Sequence, residues 1–195
     1  MPDRITDELL LERAGAGDQA AFLLLYERYR GPIFRFAYRL VGSVEVAEDI
    51  THDCFLSLIR KSGNFDPARA SLRTYLYAAA RNLAMKYFRD SGRETAIDDL
   101  SEAPAAPKRE EPLDQVLDAE LVAKVKEAVS DLPPLQREAL VLFEYEGLPL
   151  NEIAGIVGCD VGAVKGRLHR ARERLRNSLA PYLNSRPEIV TLGKA

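Results

Sequence analysis

The sequence has no apolar run long enough to cross a bilayer, and its first residues contain no signal-peptide core. It has only two cysteines and two histidines, which form no tight cluster, so a metal site is disfavoured and reduced, buried thiols are expected at Cys54 and Cys159. It also lacks a glycine-rich phosphate loop, a nucleophile elbow and a Cys–His pairing that indicates catalysis. We therefore expect a cytoplasmic protein that is not an enzyme and has no metal, cofactor, small-molecule substrate or membrane insertion.

Hydrophobic residues make up 47% of the 195 residues, enough for packed cores in one medium domain or two small ones. Strand-like alternation is scarce, whereas apolar residues recur at helical spacing over most of the chain. Thr6, Asp18 and Ser43 stand where they can cap helices, and Gly31-Pro32 indicates that one helix stops and another begins. The sequence therefore predicts an all-α protein.

The net charge of −3 argues against a uniformly basic nucleic-acid binder, but positive charge is concentrated in two segments. Apart from Asp90, the charged residues of 71–93 are Arg73, Arg81, Lys86, Arg89 and Arg93. Apart from Glu173, those of 161–176 are Lys165, Arg167, Arg170, Arg172, Arg174 and Arg176. An acidic segment, 94–120, lies between them. Local positive faces bind phosphate even in an acidic protein, so these two segments are candidates for separate DNA-binding faces.

The stretch 93–112 is acidic, rich in proline and alanine and poor in large apolar residues, which is typical of a flexible linker. It divides the chain into a predicted domain at 1–92 and a second one at 113–183, followed by a disordered tail at 184–195. A loose coil of this length spans on the order of 25 Å. Two domains joined in this way can occupy separate places on one partner.

The segment from Leu150 has the pattern of a helix-turn-helix. A short apolar-faced helix is followed by Gly158-Cys159-Asp160, in which Asp160 can cap the next helix. That helix has an apolar stripe at steps of three and four residues, and its opposite face is basic. The alternative is an ordinary solvated basic helix. The predicted contacts with duplex DNA are Lys165, Arg167, His169, Arg170 and Arg172.

Two other functions fit parts of the sequence. A helix-turn-helix regulator that binds operators as a dimer would explain the C-terminal half but leave Gly17 to Asn82 unassigned. The pair His52-Asp53 is also found in metal-dependent phosphohydrolases. Such a site needs further histidines, and His169 lies in the predicted recognition helix instead.

Two blocks of sequence, in order, resemble the extracytoplasmic-function (ECF) sigma factors of bacterial RNA polymerase. The C-terminal block resembles region 4 through Leu132-Pro133-Pro134, Glu146-Gly147-Leu148, Glu152-Ile153-Ala154 and the stretch 158–175. The N-terminal block resembles region 2 through 17–22, 47–50 and 73–82. Departures from the family pattern are Tyr75 in place of Trp, Asp160 in place of a frequent Pro, and Ala163 and Gly166 in place of frequent Thr and Ser.

The resemblance implies that region 4 binds the upstream promoter element as duplex and that region 2 opens the downstream element. A loop matching Ser62 to Ala70 is expected to capture an unstacked base, and Asn82 to address a base edge. Without the resemblance, Asn82 would be an ordinary surface amide, and core packing is the better interpretation of Tyr77. The residues implied for the downstream element are Asn64, Phe65, Arg73, Tyr75, Arg81, Asn82, Lys86 and Arg89.

The resemblance also implies protein partners. An acidic face would dock on the clamp of core RNA polymerase, and the segment from Leu142 to Glu146 would contact the flap. Many family members are held inactive by an anti-sigma factor that covers both domains, so such a partner is expected here. Composition alone favours ordinary solvation of the acidic face. The residues implied for the clamp are Glu45, Glu48, Asp49, His52 and Asp53.

Overall fold

The structure, a computed structural model, describes residues 5–60, 65–68, 70–92 and 113–184. Within these ranges the secondary structure is helical and contains no strand, as the sequence predicts. The N-terminal half, 5–92, contains α1 (Asp7–Gly15), α2 (Gln19–Val41), α3 (Val44–Arg60) and α4 (Leu72–Asp90). The C-terminal half, 113–184, contains α5 (Leu113–Ser130), α6 (Pro134–Leu140), α7 (Leu150–Val157) and α8 (Val161–Asn184). Helix α6 continues into a π-helical turn, Val141–Tyr145.

Side-chain caps explain where the helices of the N-terminal half begin. In each case a hydroxyl or carboxylate oxygen accepts a hydrogen bond from the backbone N–H three residues later, at 3.1–3.4 Å. Each bond satisfies one of the N–H groups that the first helical turn leaves without a helical partner. The three caps predicted from the sequence are confirmed, and Ser71 adds a fourth. The capping residues are Thr6, Asp18, Ser43 and Ser71.

Helix α2 runs through Pro32 without a break, so the prediction that Gly31-Pro32 separates two helices is wrong. A proline inside a helix removes one hydrogen bond and costs about 3 kcal/mol. Beyond the proline, α2 buries Ile33, Phe36 and Leu40, each no more than 1% exposed. Burial of each such side chain is worth about 1.5–3 kcal/mol, so continued packing outweighs the lost hydrogen bond.

Helix α2 is the centre of the N-terminal half, where it packs against α1, α3 and α4. The ring of Phe36 meets Tyr77 of α4 edge to face at 5.1 Å, and Tyr77 is only 1% exposed. The interpretation of Tyr77 as a core residue is confirmed. Cys54 is also fully buried, and this burial raises the pKa of its thiol to about 12. Cys159 meets the expectation of burial only in part, because it lies in a turn and is half-buried.

The two halves pack directly on each other. Helix α4 lies against α7, and α2 contacts both α6 and the π-helical turn. Buried side chains of both halves join in one continuous hydrophobic core. The halves are therefore in contact in this structure, rather than at separate places. The predicted linker at 93–112, the loop residue Asn64 and the tail beyond Asn184 lie outside the described residues.

Across the described ranges, every helix is too short or too polar to span a bilayer.

Candidate nucleic-acid interface

Helices α7 and α8 form the predicted helix-turn-helix. Gly158 ends α7 in a left-handed conformation, with φ of 69°, which a residue with a Cβ adopts only under strain. Asp160 then caps α8, since its Oδ1 accepts a hydrogen bond from the Ala163 N–H at 2.8 Å. The turn therefore fixes the angle between the two helices, and α8 buries one face through Val164 and Leu168.

The opposite face of α8 is exposed and basic. Arg172 pairs with Glu144 at 2.7 Å, and its guanidinium lies over the Phe143 ring. His169 faces Glu173, with Nε2 3.6 Å from the carboxylate oxygen. Because the pair between Arg172 and Glu144 is solvent-exposed, it holds the arginine weakly, and a phosphate can replace the carboxylate. Four of the predicted contacts lie on this face: Lys165, His169, Arg170 and Arg172.

Arg167 has a different environment from the other predicted contacts on α8. Its side chain is 16% exposed, and its Nη1 lies 2.9 Å from Oε1 of the buried Glu138. Burial raises the pKa of the Glu138 carboxyl above its ordinary value, whereas Arg81 and Arg167 act in the opposite direction. A contact between Arg167 and DNA would require this pair to break.

The residues of α4 that are implied for the downstream promoter element lie on two faces of the helix. One face is open to solvent and presents Asn82, Lys86 and Arg89. Tyr75 is half-buried, and its ring meets Phe65 edge to face at 5.7 Å. The structure thus places an aromatic pair at the start of α4, and an amide and two cations further along the same helix, groups that suit stacking on bases and binding of phosphates.

The other face of α4 points toward the C-terminal half. Arg73, Tyr77 and Arg81 follow one another at steps of four residues and so share this face. Arg73 donates to the Glu146 carbonyl oxygen, and the Tyr77 hydroxyl donates to the Glu146 carboxylate. Two predicted phosphate contacts are therefore engaged with the C-terminal half: Arg73, which is exposed, and Arg81, which is mostly buried.

The acidic face of α3 is exposed to solvent, as the clamp-docking prediction requires. Its residues recur at helical spacing along one side of the helix. A groove between α2 and α3 runs beside this face and is lined by aromatic as well as charged side chains, among them Tyr26, Phe34 and Arg30. The exposed residues are Glu45, Glu48, Asp49, His52 and Asp53. Within the described ranges, His52 and Asp53 join no cluster of side chains able to hold a metal ion.

Two acids to which the sequence analysis assigned no individual role occupy central positions. Glu138 is fully buried, and Glu146 has only 7% of its side chain exposed. A signal for Glu138 was available, since it stands three and four residues before the buried Val141 and Leu142, on the apolar stripe of its own helix. An acid in such a position needs a buried cation.

Two family models match this chain, one in each half. The family model "Sigma-70 region 2" matches residues 25–94, and "Sigma-70, region 4" matches residues 123–175. The RNA polymerase sigma-H factor of Pseudomonas aeruginosa is 34% identical over 185 residues, covering 91% of this chain and 95% of that protein. The ECF RNA polymerase sigma-E factor of Escherichia coli K12 is 34% identical over 191 residues, covering 94% and 99%. The chain belongs to the ECF sigma factors.

A solved structure of a sigma factor supports this membership. The sigma factor RpoE of Bartonella quintana, crystallised with the anti-sigma factor NepR, is 26% identical and superposes with a TM-score of 0.62. The match covers 82% of this chain and 96% of that one. ECF sigma membership accounts for both halves of the protein, whereas the operator-binding regulator left the N-terminal half unassigned.

Proposed function

We propose that this ECF sigma factor binds core RNA polymerase and directs promoter recognition and DNA opening at transcription initiation. The observation that supports it best is the presence, in one chain, of a capped helix-turn-helix with an exposed basic face and of a second basic helix, each within its matching sigma region. The polymerase forms the phosphodiester bonds, and the sigma factor supplies recognition. We accordingly propose that the chain itself catalyses no reaction and works in the cytoplasm.

The upstream element is bound by α8 in the major groove. The exposed Lys165, His169, Arg170 and Arg172 face the DNA, and an arginine among them can make paired hydrogen bonds to guanine. Arg167 reaches DNA only after it leaves Glu138. Ala163 and Gly166 lie where other family members have larger polar residues, so this chain offers fewer hydrogen-bonding groups at those positions.

The downstream element is opened and held by α4 and the loop before it. Asn82 addresses a base edge, and Lys86 and Arg89 hold phosphates from the exposed face of the helix. The pair formed by Phe65 and Tyr75 provides an aromatic surface for an unstacked base, with Asn64 beside it in the sequence. Extracting a base costs a few kcal/mol, which these contacts offset. Arg73 and Arg81 join them once freed from the C-terminal half.

The protein partners bind other surfaces. The acidic face of α3, with Glu45, Glu48, Asp49, His52 and Asp53, docks on the polymerase clamp. The segment Leu142 to Glu146 docks on the flap. An anti-sigma factor controls the protein by covering both halves, as supported by the similarity to a sigma factor that was crystallised with its anti-sigma factor. In this assignment, residues 1–92 form the region 2 domain and residues 113–183 form the region 4 domain.

Run-off transcription from a genomic fragment library tests the function directly. Core RNA polymerase alone should give no specific start sites, and addition of this chain should give a reproducible set. Gel-shift titration on such a promoter, at fixed salt, should show weak binding by the free chain. It should show much tighter binding with core polymerase, because attachment of both halves to one complex raises the effective concentration of the second contact. The absence of specific transcripts would refute the proposal.

A further inference from the structure

Three arginines in the first half of the recognition helix α8 have different surroundings. Arg167 pairs with the buried Glu138, and Arg172 pairs with Glu144. Arg170 is exposed, and no carboxylate among the residues that the structure describes pairs with it. Its guanidinium donors are therefore available to a base edge without the loss of an existing ion pair.

The Arg170 guanidinium lies over the preceding turn of its own helix, above Gly166. Apart from its chain neighbours and the helix backbone, an added Cβ at Gly166 would have only the two terminal nitrogens of this guanidinium within 4 Å, at 3.5 and 3.9 Å. Gly166 is half-buried, although it lies on the side of α8 opposite the buried Val164. Side chains of a helix lean toward its N-terminus, so Arg170 covers the residue four positions before it.

The helix backbone does not account for a glycine at position 166. Its φ is negative, as in any helical residue, and an added Cβ would make ordinary van der Waals contact. Glycine inside a helix is less favourable than alanine, because it loses more conformational freedom on folding. The feature that depends on the missing side chain is the space that the Arg170 guanidinium occupies.

The position of this guanidinium matters for base recognition. Residues near the N-terminus of a recognition helix contact the base edges in the major groove. Arg170 stands further along α8, and its guanidinium returns toward that end by lying over Gly166. Arginine recognises guanine by donating two hydrogen bonds to O6 and N7, which requires the guanidinium at a defined place and angle.

We propose that Gly166 is a specificity-determining residue, because the absence of a side chain lets Arg170 place its guanidinium one turn nearer the N-terminus of α8, against a guanine of the upstream element. The inference rests on the proposed function, since that function places α8 in the major groove. Gly166 acts through Arg170 and contributes no hydrogen bond of its own. A bulky residue at position 166 displaces the guanidinium and removes the preference for that guanine.

A modified base tests the contact of Arg170. After run-off transcription has located a promoter, each guanine of its upstream element is replaced in turn by 7-deazaguanine, which lacks the N7 acceptor. Core polymerase carrying the unaltered chain should bind one of these promoters on the order of tenfold more weakly than the unmodified promoter. The complex with Arg170→Ala should bind the two equally. Equal binding of all the promoters by the unaltered complex would overturn the proposal.

Two substitutions at position 166 test the role of the glycine. Valine branches at Cβ, so its methyl groups extend into the space of the guanidinium, and Gly166→Val should abolish the sensitivity to 7-deazaguanine. Gly166→Ala is the matched control and should keep it, because a Cβ alone is in ordinary contact with Arg170. Undiminished sensitivity in Gly166→Val would contradict the proposal.

A double-mutant cycle separates positioning of Arg170 from a clash between valine and DNA. In the Arg170→Ala background, Gly166→Val should cause no further loss of affinity for the unmodified promoter. Circular dichroism should show that all the variants are folded. An equal loss in both backgrounds would mean that valine acts on the helix or on DNA directly, and the positioning role would be rejected.

The design separates this inference from the proposed function. If core polymerase with the unaltered chain gives no specific transcripts, the sigma assignment itself fails. If it transcribes and Gly166→Val distinguishes 7-deazaguanine as the unaltered chain does, the assignment stands and the role of Gly166 fails.

Discussion

At the residue scale, the basic side chains of α4 and α8 include some that pair with a buried carboxylate and others that are exposed to solvent. Arg81 and Arg167 are held by Glu138 inside the protein, whereas Lys86 and Arg170 are exposed. The sequence shows that both helices are basic, but it does not show which side chain faces a carboxylate from a distant element. The exposed group is therefore the one to test first for direct DNA recognition.

Arg170→Ala should weaken promoter binding by the polymerase complex by about 1–3 kcal/mol and relax sequence preference at one upstream position, if Arg170 contacts a base. The physical reason is the loss of paired hydrogen bonds from an exposed arginine of the recognition helix to a base edge. Quantitative binding to a library of single-base promoter variants measures both effects. Arg174→Ala, one turn further along α8, is the control and should change affinity less. An unchanged sequence preference in Arg170→Ala would assign Arg170 to phosphate or exclude it from the DNA face.

Gly166→Ala should stabilise the protein by about 0.5–1 kcal/mol, because glycine inside a helix carries an entropic penalty relative to alanine. An added Cβ would lie 3.5 Å from the nearest Arg170 guanidinium nitrogen, which is ordinary contact. At Gly162, an added Cβ would lie 2.9 Å from Asp160 Oδ1 and disturb the cap of α8. Thermal unfolding should therefore show a gain for Gly166→Ala and a smaller gain or a loss for Gly162→Ala. A loss at Gly166 would show that the helix needs glycine there.

At the element scale, hydrogen bonds within a few residues decide the features that the sequence predicts well. The caps at Thr6, Asp18 and Ser43, and the turn at Gly158, depend on neighbours that any reader of the sequence can see. The break expected at Gly31-Pro32 failed because its outcome depends on packing of α2 against other helices. The dipeptide Gly-Pro indicates a helix break, but the sequence does not show how much burial of the following side chains stabilises a continuous helix.

Phe36→Ala should lower the free energy of unfolding by about 3–5 kcal/mol, because it removes a fully buried ring from the C-terminal part of α2. The cavity would open against Tyr77, which loses its edge-to-face partner. Leu23→Ala lies on the same helix at a side chain that is 55% exposed, and should change stability by less than about 0.5 kcal/mol. Urea titration followed by circular dichroism measures both. Similar losses in the two variants would contradict the burial described for α2.

At the scale of the whole molecule, the sequence predicts two domains and their contents, but not the interface between them. The contacts of Glu138 and Glu146 join residues that are far apart in sequence, across a linker whose composition suggests independence. The helical stripe indicates that Glu138 is buried, but no local pattern identifies Arg81 and Arg167 as its partners. The candidate site was predictable as a set of basic positions, and its occlusion was not.

The continuous core leads us to expect that the free protein unfolds in one cooperative transition. Fluorescence of the eight tyrosines, in a chain without tryptophan, and far-ultraviolet circular dichroism should give the same midpoint. Arg39→Glu places two acids together, because Arg39 of α2 pairs with Glu146, and should uncouple the halves and separate the transition into two. Arg35→Glu, on the exposed face of the same helix, should leave it single. Two separate transitions in the unaltered protein would indicate that the halves are independent.

The shared carboxylate of Glu138 also affects engineering by recombination. Its partners come from both sides of the linker, so exchange of the C-terminal half for that of a relative keeps Arg81 but replaces its acid. A chimera made to change promoter choice can therefore also lose the ion pairs between its two halves, which changes the stability of the interface independently of DNA preference. If the residues at positions 81, 138 and 167 are transferred together, the chimera keeps this ion-pair cluster intact while its promoter preference changes.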